Sequence, residues 1–566
     1  MNARVLEGNL AALAGDPLLA SLLLREQPSR ELVFLDSTGG LPVPARAGAR
    51  ARPYHSTVDP QREGQRLAAQ YADGGYLVAL GLGAGYHLRP LLTHPEMGRL
   101  LIVERDPALA RAVLERIDLR NLLLDRRVRL LLGPEPEEVG AALLAEYLPA
   151  VHGKLRTMPL RASVEEHESY YRRVVAAIQR ALEQVAGDYS VQARFGGKWY
   201  RNTLANLELA ERCSFALPPI EAAAVAGAGP SLERQLELLS GLRPRPFLIA
   251  TDTALPALLG RGIIPDLAVS IDCQLSSYHH FLQGLPSHVP LVLDLASPPI
   301  LSRSARRAMF FASAHPLARY LSARWRALPP VDSSGGNVAH AAVSVALQLG
   351  ARELYLLGLD FSYPEGKPYS RGTYLYPLFG SGASRLAPLE GGLLSFVFTR
   401  PGLYREQGLG FLRYGTPQLL GYKERLEALA GSSEARFTAL PGRGAALKLP
   451  ERELPAAAGV SGSVPGSGGA LGAGAAGPLD CAAASMDWRS FLDQYARGLQ
   501  RLAAPPEAAG RFLLELDPES RKLWATILPA AAWLRESLPP DERMGRRVLE
   551  RAREWSLATA RRLLDR

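Results

Sequence analysis

Between Ala222 and Tyr363, short apolar runs alternate with helical stretches, and each run stops at a glycine, serine, threonine or aspartate. A chain satisfies such alternation with strands joined by crossover helices, that is, with a parallel sheet covered on both faces. Open sheets of this kind bind ligands beyond the carboxyl ends of their strands. The residues delivered there are Gly227, Gly229 and Ser231 after AAAVA, Thr251 and Asp252 after FLIA, Asp272 after LAVSI, Ser297 after LVLDLA, and Asp360 after ELYLLGL. Chance could put one acid in such a place. Polar groups at the end of every run predict a doubly wound sheet with a nucleotide-sized cleft.

The densest stretch, VDSSGGNVAHAAVSVALQLGARELYLLGLDFSY from Val331 to Tyr363, reads as loop, helix, strand and loop. Ser333, Ser334, Gly335 and Asn337 precede small apolar residues that keep a helical face to Leu349, and Gly350 stands as the C-cap. Hydroxyls and free backbone N–H groups at a helix N-terminus favour an anion such as phosphate. SSGGN reads equally well as a glycine-rich turn with a capping serine. The GAGPS loop at 227–231, with its proline preset for a first helical turn, supplies a second cradle of the same chemistry.

At 566 residues the chain exceeds a single core. Its 47% hydrophobic and 21% charged residues are those of a soluble globular protein. The net charge of +9 is spread along the chain without a long basic run, and aromatics make up only 7%, which argues against a nucleic-acid partner. Three cysteines, Cys213, Cys273 and Cys481, are too far apart for a zinc cluster, and no metal site is expected. With no signal peptide or membrane-spanning run in the pattern, a cytoplasmic protein without membrane insertion is expected. Homo-oligomerisation is left open.

Taken in order, the chain divides into a helix and β-rich lead-in (1–60), a Rossmann-like domain (61–160), a helical connector broken at a glycine pair (161–215), the central domain (216–450), an Ala/Gly/Ser linker (451–482) and a C-terminal helical bundle (483–566). In the second of these, YLVALGLGAGYHLRPLL then RLLIVERDPALARAVL reads as strand, glycine loop, helix, strand, acid, helix. Gly81, Gly83 and Gly85 would let the backbone approach a ligand, and Glu104 is placed for ribose hydroxyls. This half resembles the opening of an S-adenosylmethionine-dependent methyltransferase, here as a scaffold without turnover. Beyond Tyr363, PEGKPYSRGTYLYPLFGSGASRLAPLEGG reads as a mobile loop over the cleft.

Together, GAGPSL at 227–232, ATDTAL at 250–255, IPDLAVSID at 264–272, SSGGNVAHAA at 333–342 and LGARELYLLGLDFSY at 349–363 resemble the motility accessory factor family. These are flagellin nonulosonic acid transferases that share a central domain with archaeal hydroxymethylpterin pyrophosphokinases. The central domain is also similar to bacterial sialyltransferases that use cytidine-monophosphate (CMP) sugars. That resemblance implies phosphate contacts at Gly227, Gly229 and Ser231, and nucleotide contacts at Ser333, Ser334 and Gly335. Two departures stand out. Ala228 replaces the sialyltransferase asparagine, and KPYSRGTYLY lacks their catalytic histidine, leaving Tyr369 or Tyr374 to assist with Asp360 and Arg371. The reaction implied is inverting transfer of a sialic-, pseudaminic- or legionaminic-type acid from a CMP-linked donor to a flagellin Ser or Thr, with no cofactor. The alternatives are a magnesium-dependent pyrophosphokinase using Asp252, Asp272 or Asp360, and a non-catalytic flagellin-binding factor.

Overall fold

A computed structural model describes residues 2–565 apart from 49–50, 95–96, 214–215, 242–244, 408–409, 453–483, 506–511, 540–541 and 543–544. The chain divides into two compact units, Met1–Gly197 with Arg497–Ala558, and Lys198–Ala496 with Thr559–Arg566. Both are mixed α/β with parallel sheets. The stretch expected as a linker lies almost wholly outside the described residues.

In the first unit, helices Asn2–Ala12 and Pro17–Arg25 lead into a three-stranded antiparallel sheet, Leu32–Asp36, Pro42–Arg46 and Arg52–Pro53. A four-stranded parallel sheet follows in the order Val128–Leu132, Met97–Glu104, Gly75–Leu80, Leu155–Pro159. GYLVAL is buried along its whole length, as a continuous apolar run in a doubly covered sheet must be. Within this core Arg99 is fully buried and its guanidinium holds Glu146 at 2.6 Å, while Arg129 engages the other oxygen of the same carboxylate.

Two sequence expectations fail here. The glycine loop is followed by a 3₁₀ turn, Arg89–Thr93, where an α-helix was expected. The connector does not break at its glycine pair: one helix runs from Glu168 to Ala205. A Cβ on Gly196 would lie 1.9 Å from the Pro529 carbonyl oxygen, and one on Gly197 would lie 2.5 Å from the Trp533 ring. The pair therefore admits the backbone of helix Pro518–Ser537. Most of the C-terminal helical segment, Arg497–Ala558, belongs to the first unit, and helices Pro518–Ser537 and Gly545–Leu564 pack on each other through Ala531, Val548 and Ala552.

The second unit carries a seven-stranded, all-parallel sheet in the order Ala308–Phe311, Leu291–Asp294, Leu267–Ser270, Phe247–Thr251, Ala222–Ala226, Glu353–Leu357, Arg436–Ala439. From Ala222–Ala226 the chain winds outward to Ala308–Phe311, then returns to add Glu353–Leu357 on the opposite side. Strand order thus reverses between Ala222–Ala226 and Glu353–Leu357, which makes the loops at 227–231 and 358–362 neighbours. Helix Val338–Gln348 packs on three of the strands, and its Ala-rich face is almost entirely buried. Trp488–Arg501 begins on this unit, where the Trp325 indole donates to the Met486 carbonyl at 3.0 Å.

Gly196→Ala is expected to destabilise the first unit by about 1–3 kcal/mol, since the clash is with backbone that has no rotamer to yield. Chemical denaturation of both forms measures this. An unchanged midpoint would mean that the two helices do not need their close approach.

Candidate functional site

At the strand-order reversal the two glycine loops touch. A Cβ on Gly227 would meet Leu359 Cδ2 at 2.3 Å, and one on Gly229 would meet Asp360 Oδ2 at 2.0 Å. Gly358, at φ +59°, takes the left-handed backbone that glycine tolerates, against the Gly227 carbonyl. Into this junction points Asp360. Ser231 N donates to its Oδ2 at 3.1 Å and Ser231 Oγ to its Oδ1 at 2.5 Å. The helix N-terminus read as a phosphate cradle is therefore occupied by the chain's own carboxylate.

Burial raises the Asp360 carboxyl above its usual range, against the Ser231 hydrogen bonds and the nearby charge of Arg413. Arg413, which sequence reasoning did not single out, is buried on strand Arg413–Gly415. It holds Glu406 at 2.5 Å and the Gly444 carbonyl, while its Nε has no partner. Asp360, Phe411 and Arg413 line a cavity of about 280 Å³. Two non-glycine residues with positive φ, Phe361 at 45° and Glu365 at 53°, flank this turn, a kind of backbone strain that collects at working sites.

Two and three strands farther along the same edge stand Asp252 and Asp272. Asp252 is buried and saturated: Oδ1 accepts from Thr253 N at 2.6 Å and Thr253 Oγ1 at 3.0 Å, and Oδ2 from Ser270 Oγ at 2.7 Å. Asp272 accepts from Gln274 N at 2.9 Å, and burial, with the charge of Asp252 beside it, raises its pKa. Thr251 and Ser297 serve the scaffold, donating to the carbonyls of Ala226 at 3.1 Å and Ser270 at 3.4 Å. Asn206, from the turn after the long helix, donates to the Leu295 and Ser297 carbonyls at 2.9 and 2.8 Å.

The segment read as a mobile loop is packed down: Ser370 N donates to the Ala228 carbonyl and Arg371 N to Glu233 Oε1, both at 2.9 Å, and Ser370 and Thr373 are fully buried. Arg371 is exposed. Tyr369 and Tyr374 lie with ring centroids 6.4 Å apart, and burial pushes both phenols above their ordinary values, so they are poorer bases than the sequence suggested. A histidine from another segment lies against Tyr374. His280, in the 3₁₀ helix Leu275–Phe281, sets its ring edge-on to Tyr374 at 4.6 Å; its Nδ1 is buried without a partner, and its charge bears on Asp272. The sequence signal is the His279–His280 pair, seven and eight residues past Asp272 and outside the segment that follows strand Glu353–Leu357.

The Ser333–Asn337 loop is also ordered from within. Asn337, not a serine, caps helix Val338–Gln348 by accepting from His340 N at 3.0 Å. Asp332 takes Ser334 N at 2.8 Å and pairs with His340 Nε2 at 3.0 Å; despite the cost of burial these hydrogen bonds hold its carboxyl below the usual range. Gly335 packs on the His340 ring, and its carbonyl accepts from Arg425 Nε at 3.1 Å. Ser333 and Ser334 remain at the surface.

In the first unit Gly81, Gly83 and Gly85 all have positive φ, 102°, 49° and 74°. Cβ atoms there would strike Ser163, His55 and Leu119. Glu104 turns inward, accepting from Leu82 N at 2.8 Å and Asp106 N at 3.0 Å, while His55 Nε2 accepts from Ala84 N at 3.0 Å. Loop and acid thus satisfy each other and do not face a nucleotide.

Residues 26–186 match the family model described as the Glycosyltransferase Maf N-terminal domain, and residues 201–366 match that described as 6-hydroxymethylpterin diphosphokinase MptE-like. Two uncharacterized proteins of Treponema pallidum (strain Nichols) are 32% and 31% identical over 196 and 165 residues, covering 32% and 29% of this chain and 69% and 79% of theirs. The structure of a Maf glycosyltransferase from Magnetospirillum magneticum AMB-1 has the same fold. It superposes with a TM-score of 0.57 at 16% identity, over 100% of this chain and 96% of that one.

Burial raises the Glu104 carboxyl to about 7 from 4.5. Between these values the folded state binds the extra proton, so this group's contribution to stability falls as pH rises through that window and stays low above it. The difference in unfolding free energy between the native chain and Glu104→Gln should vary across that window and be flat above pH 8. A pH-independent difference would place the Glu104 carboxyl at its ordinary value.

Proposed function

Because the chain belongs to the motility accessory factor, or Maf, family of glycosyltransferases, we propose that it transfers a nonulosonic acid from a CMP-linked donor to Ser or Thr hydroxyls of flagellin in the cytoplasm. The observation that carries the reading is His280, an imidazole past the carboxyl end of strand Leu267–Ser270 whose Nδ1 has no hydrogen-bond partner, against Tyr374 and within electrostatic reach of Asp272. In an inverting displacement the acceptor oxygen attacks the anomeric carbon as the bond to the phosphate oxygen breaks. His280 takes the hydroxyl proton, and Asp272 stabilises the imidazolium that forms.

Negative charge develops on the departing phosphate. Arg400, whose guanidinium lies 3.9 Å from the Phe396 ring and acts on both tyrosines, supplies positive charge there, with the hydroxyls of half-buried Ser333 and exposed Ser334 as donors. Asp360 organises the edge by binding Ser231. Tyr374 packs against His280 and does not act as the base.

The match of residues 201–366 to a diphosphokinase-like family favours, as a second reading, pyrophosphoryl transfer from ATP. That chemistry asks carboxylates to hold magnesium. Asp252 and Asp360 have their oxygens committed to Thr253, Ser270 and Ser231, so they fit that role poorly.

Incubating the purified chain with CMP-activated sugar and flagellin should add the mass of one sugar residue to flagellin peptides, without magnesium. His280→Ala should lower kcat about 10²–10⁴-fold with little change in donor KM. Full activity of that variant would remove His280 from the mechanism, and magnesium-dependent consumption of ATP in place of sugar transfer would overturn the reading.

A further inference from the structure

A cavity in the first unit is lined by none of the residues assigned to the proposed transfer. It has a volume of about 820 Å³, in the range of small-molecule sites, and opens beyond the carboxyl end of strand Leu155–Pro159, between the segment at 53–56 and helix Pro60–Ala69. It does not lie against the glycine loop, which the protein fills with its own side chains.

Most polar groups around this cavity are already matched. His55 Nε2 accepts from Ala84 N, which leaves the proton on Nδ1 facing Glu63 at 3.4 Å. Glu63 also accepts from Ser56 N at 2.9 Å, Asp59 caps the helix through Arg62 N at 2.9 Å, and Glu165 pairs with Arg161 at 2.7 Å. The Tyr54 hydroxyl donates to Glu166.

Three groups are left over. His87 is 1% exposed, lines the cavity, and has no hydrogen-bond partner on either ring nitrogen. Burial first, and then the neighbouring His55, hold its pKa well below the usual value against the opposing pull of the Gly81 backbone, which makes no hydrogen bond to the ring, so the ring is neutral and brings one donor and one acceptor. Arg62 and Arg66, one turn apart on the exposed face of helix Pro60–Ala69, reach the rim, and among the described residues neither forms an ion pair.

A neutral imidazole with both functions open is matched by a hydroxyl, which donates and accepts. Two adjacent guanidinium groups are matched by a carboxylate or phosphate. We infer that this cavity binds a hydroxylated small anion, a sugar acid or sugar phosphate, with its charged group on Arg62 and Arg66 and a hydroxyl on His87. The site is distinct from the transferase edge, and its occupancy does not depend on the reaction assigned there. Inorganic phosphate alone would reach the rim without meeting His87.

Calorimetry on the full chain tests this with N-acetylneuraminic acid, glucose 6-phosphate, glucose and inorganic phosphate as probes. Either sugar acid or sugar phosphate, whichever fits, should bind, with glucose and phosphate each weaker by about tenfold or more. Arg62→Gln/Arg66→Gln, both exposed, should weaken binding by a similar factor without changing the unfolding temperature. His87→Phe should abolish the ligand-induced rise in unfolding temperature while leaving the unliganded chain as stable as before or more so, because it removes a buried imidazole without partners. Equal affinity for inorganic phosphate would reduce the site to an anion patch and overturn the inference. So would binding that survives the double arginine variant but is lost in His280→Ala, or the absence of binding by any probe.

Discussion

The carboxylate of Asp360, held by the backbone and hydroxyl of Ser231, closes the crevice where strand order reverses in the second unit. Everything around it is arranged to allow that contact. Gly227, Gly229 and Gly358 remove the Cβ atoms that would keep the loops apart, and Gln235 bridges them by accepting from Gly358 N at 2.7 Å and donating to the Pro441 carbonyl at 2.9 Å. The segment at 442–445 then covers the acid, with Ala445 N on the Asp360 carbonyl at 2.7 Å. A buried carboxylate is costly unless its oxygens find donors, and here a helix N-terminus supplies them.

That closure positions the rest of the edge. Ala228, fixed between the glycines, accepts from Ser370 N and so ties down the segment carrying Tyr369 and Tyr374. Tyr374 in turn meets the His280 ring edge-on, and His280 bears electrostatically on Asp272. The candidate chemistry is thus assembled from three loops that begin on different strands.

The first unit repeats the device. Glu104, at the end of the strand next to the glycine loop, binds Leu82 N and Asp106 N much as Asp360 binds Ser231. In both places a glycine-rich turn and an acid on an adjacent strand satisfy one another. A sequence reader sees free amides and a nearby carboxylate and assigns both to a ligand, because nothing in the linear pattern says that they meet. The same blindness to distance explains the glycine pair at 196–197: composition marks a break, while the approach of Pro529, more than three hundred positions later, makes it a contact within one helix.

The sequence by itself determined the parallel α/β architecture, the strands from Ala222 to Leu357 and the residues at their carboxyl ends, because period and punctuation are local properties of a chain. It also placed both glycine loops and the helix after Asn337. Only the tertiary structure decided which of those polar residues are consumed inside the protein and which remain open. Ser231, Asp252, Asp360 and Glu104 fell into the first group. His280, Arg413 and His87, which keep unmatched nitrogens, fell into the second. The physical reason is that a hydrogen bond joins groups by position in space, and these pairs, up to 129 residues apart for Ser231 and Asp360, share no neighbourhood in the sequence.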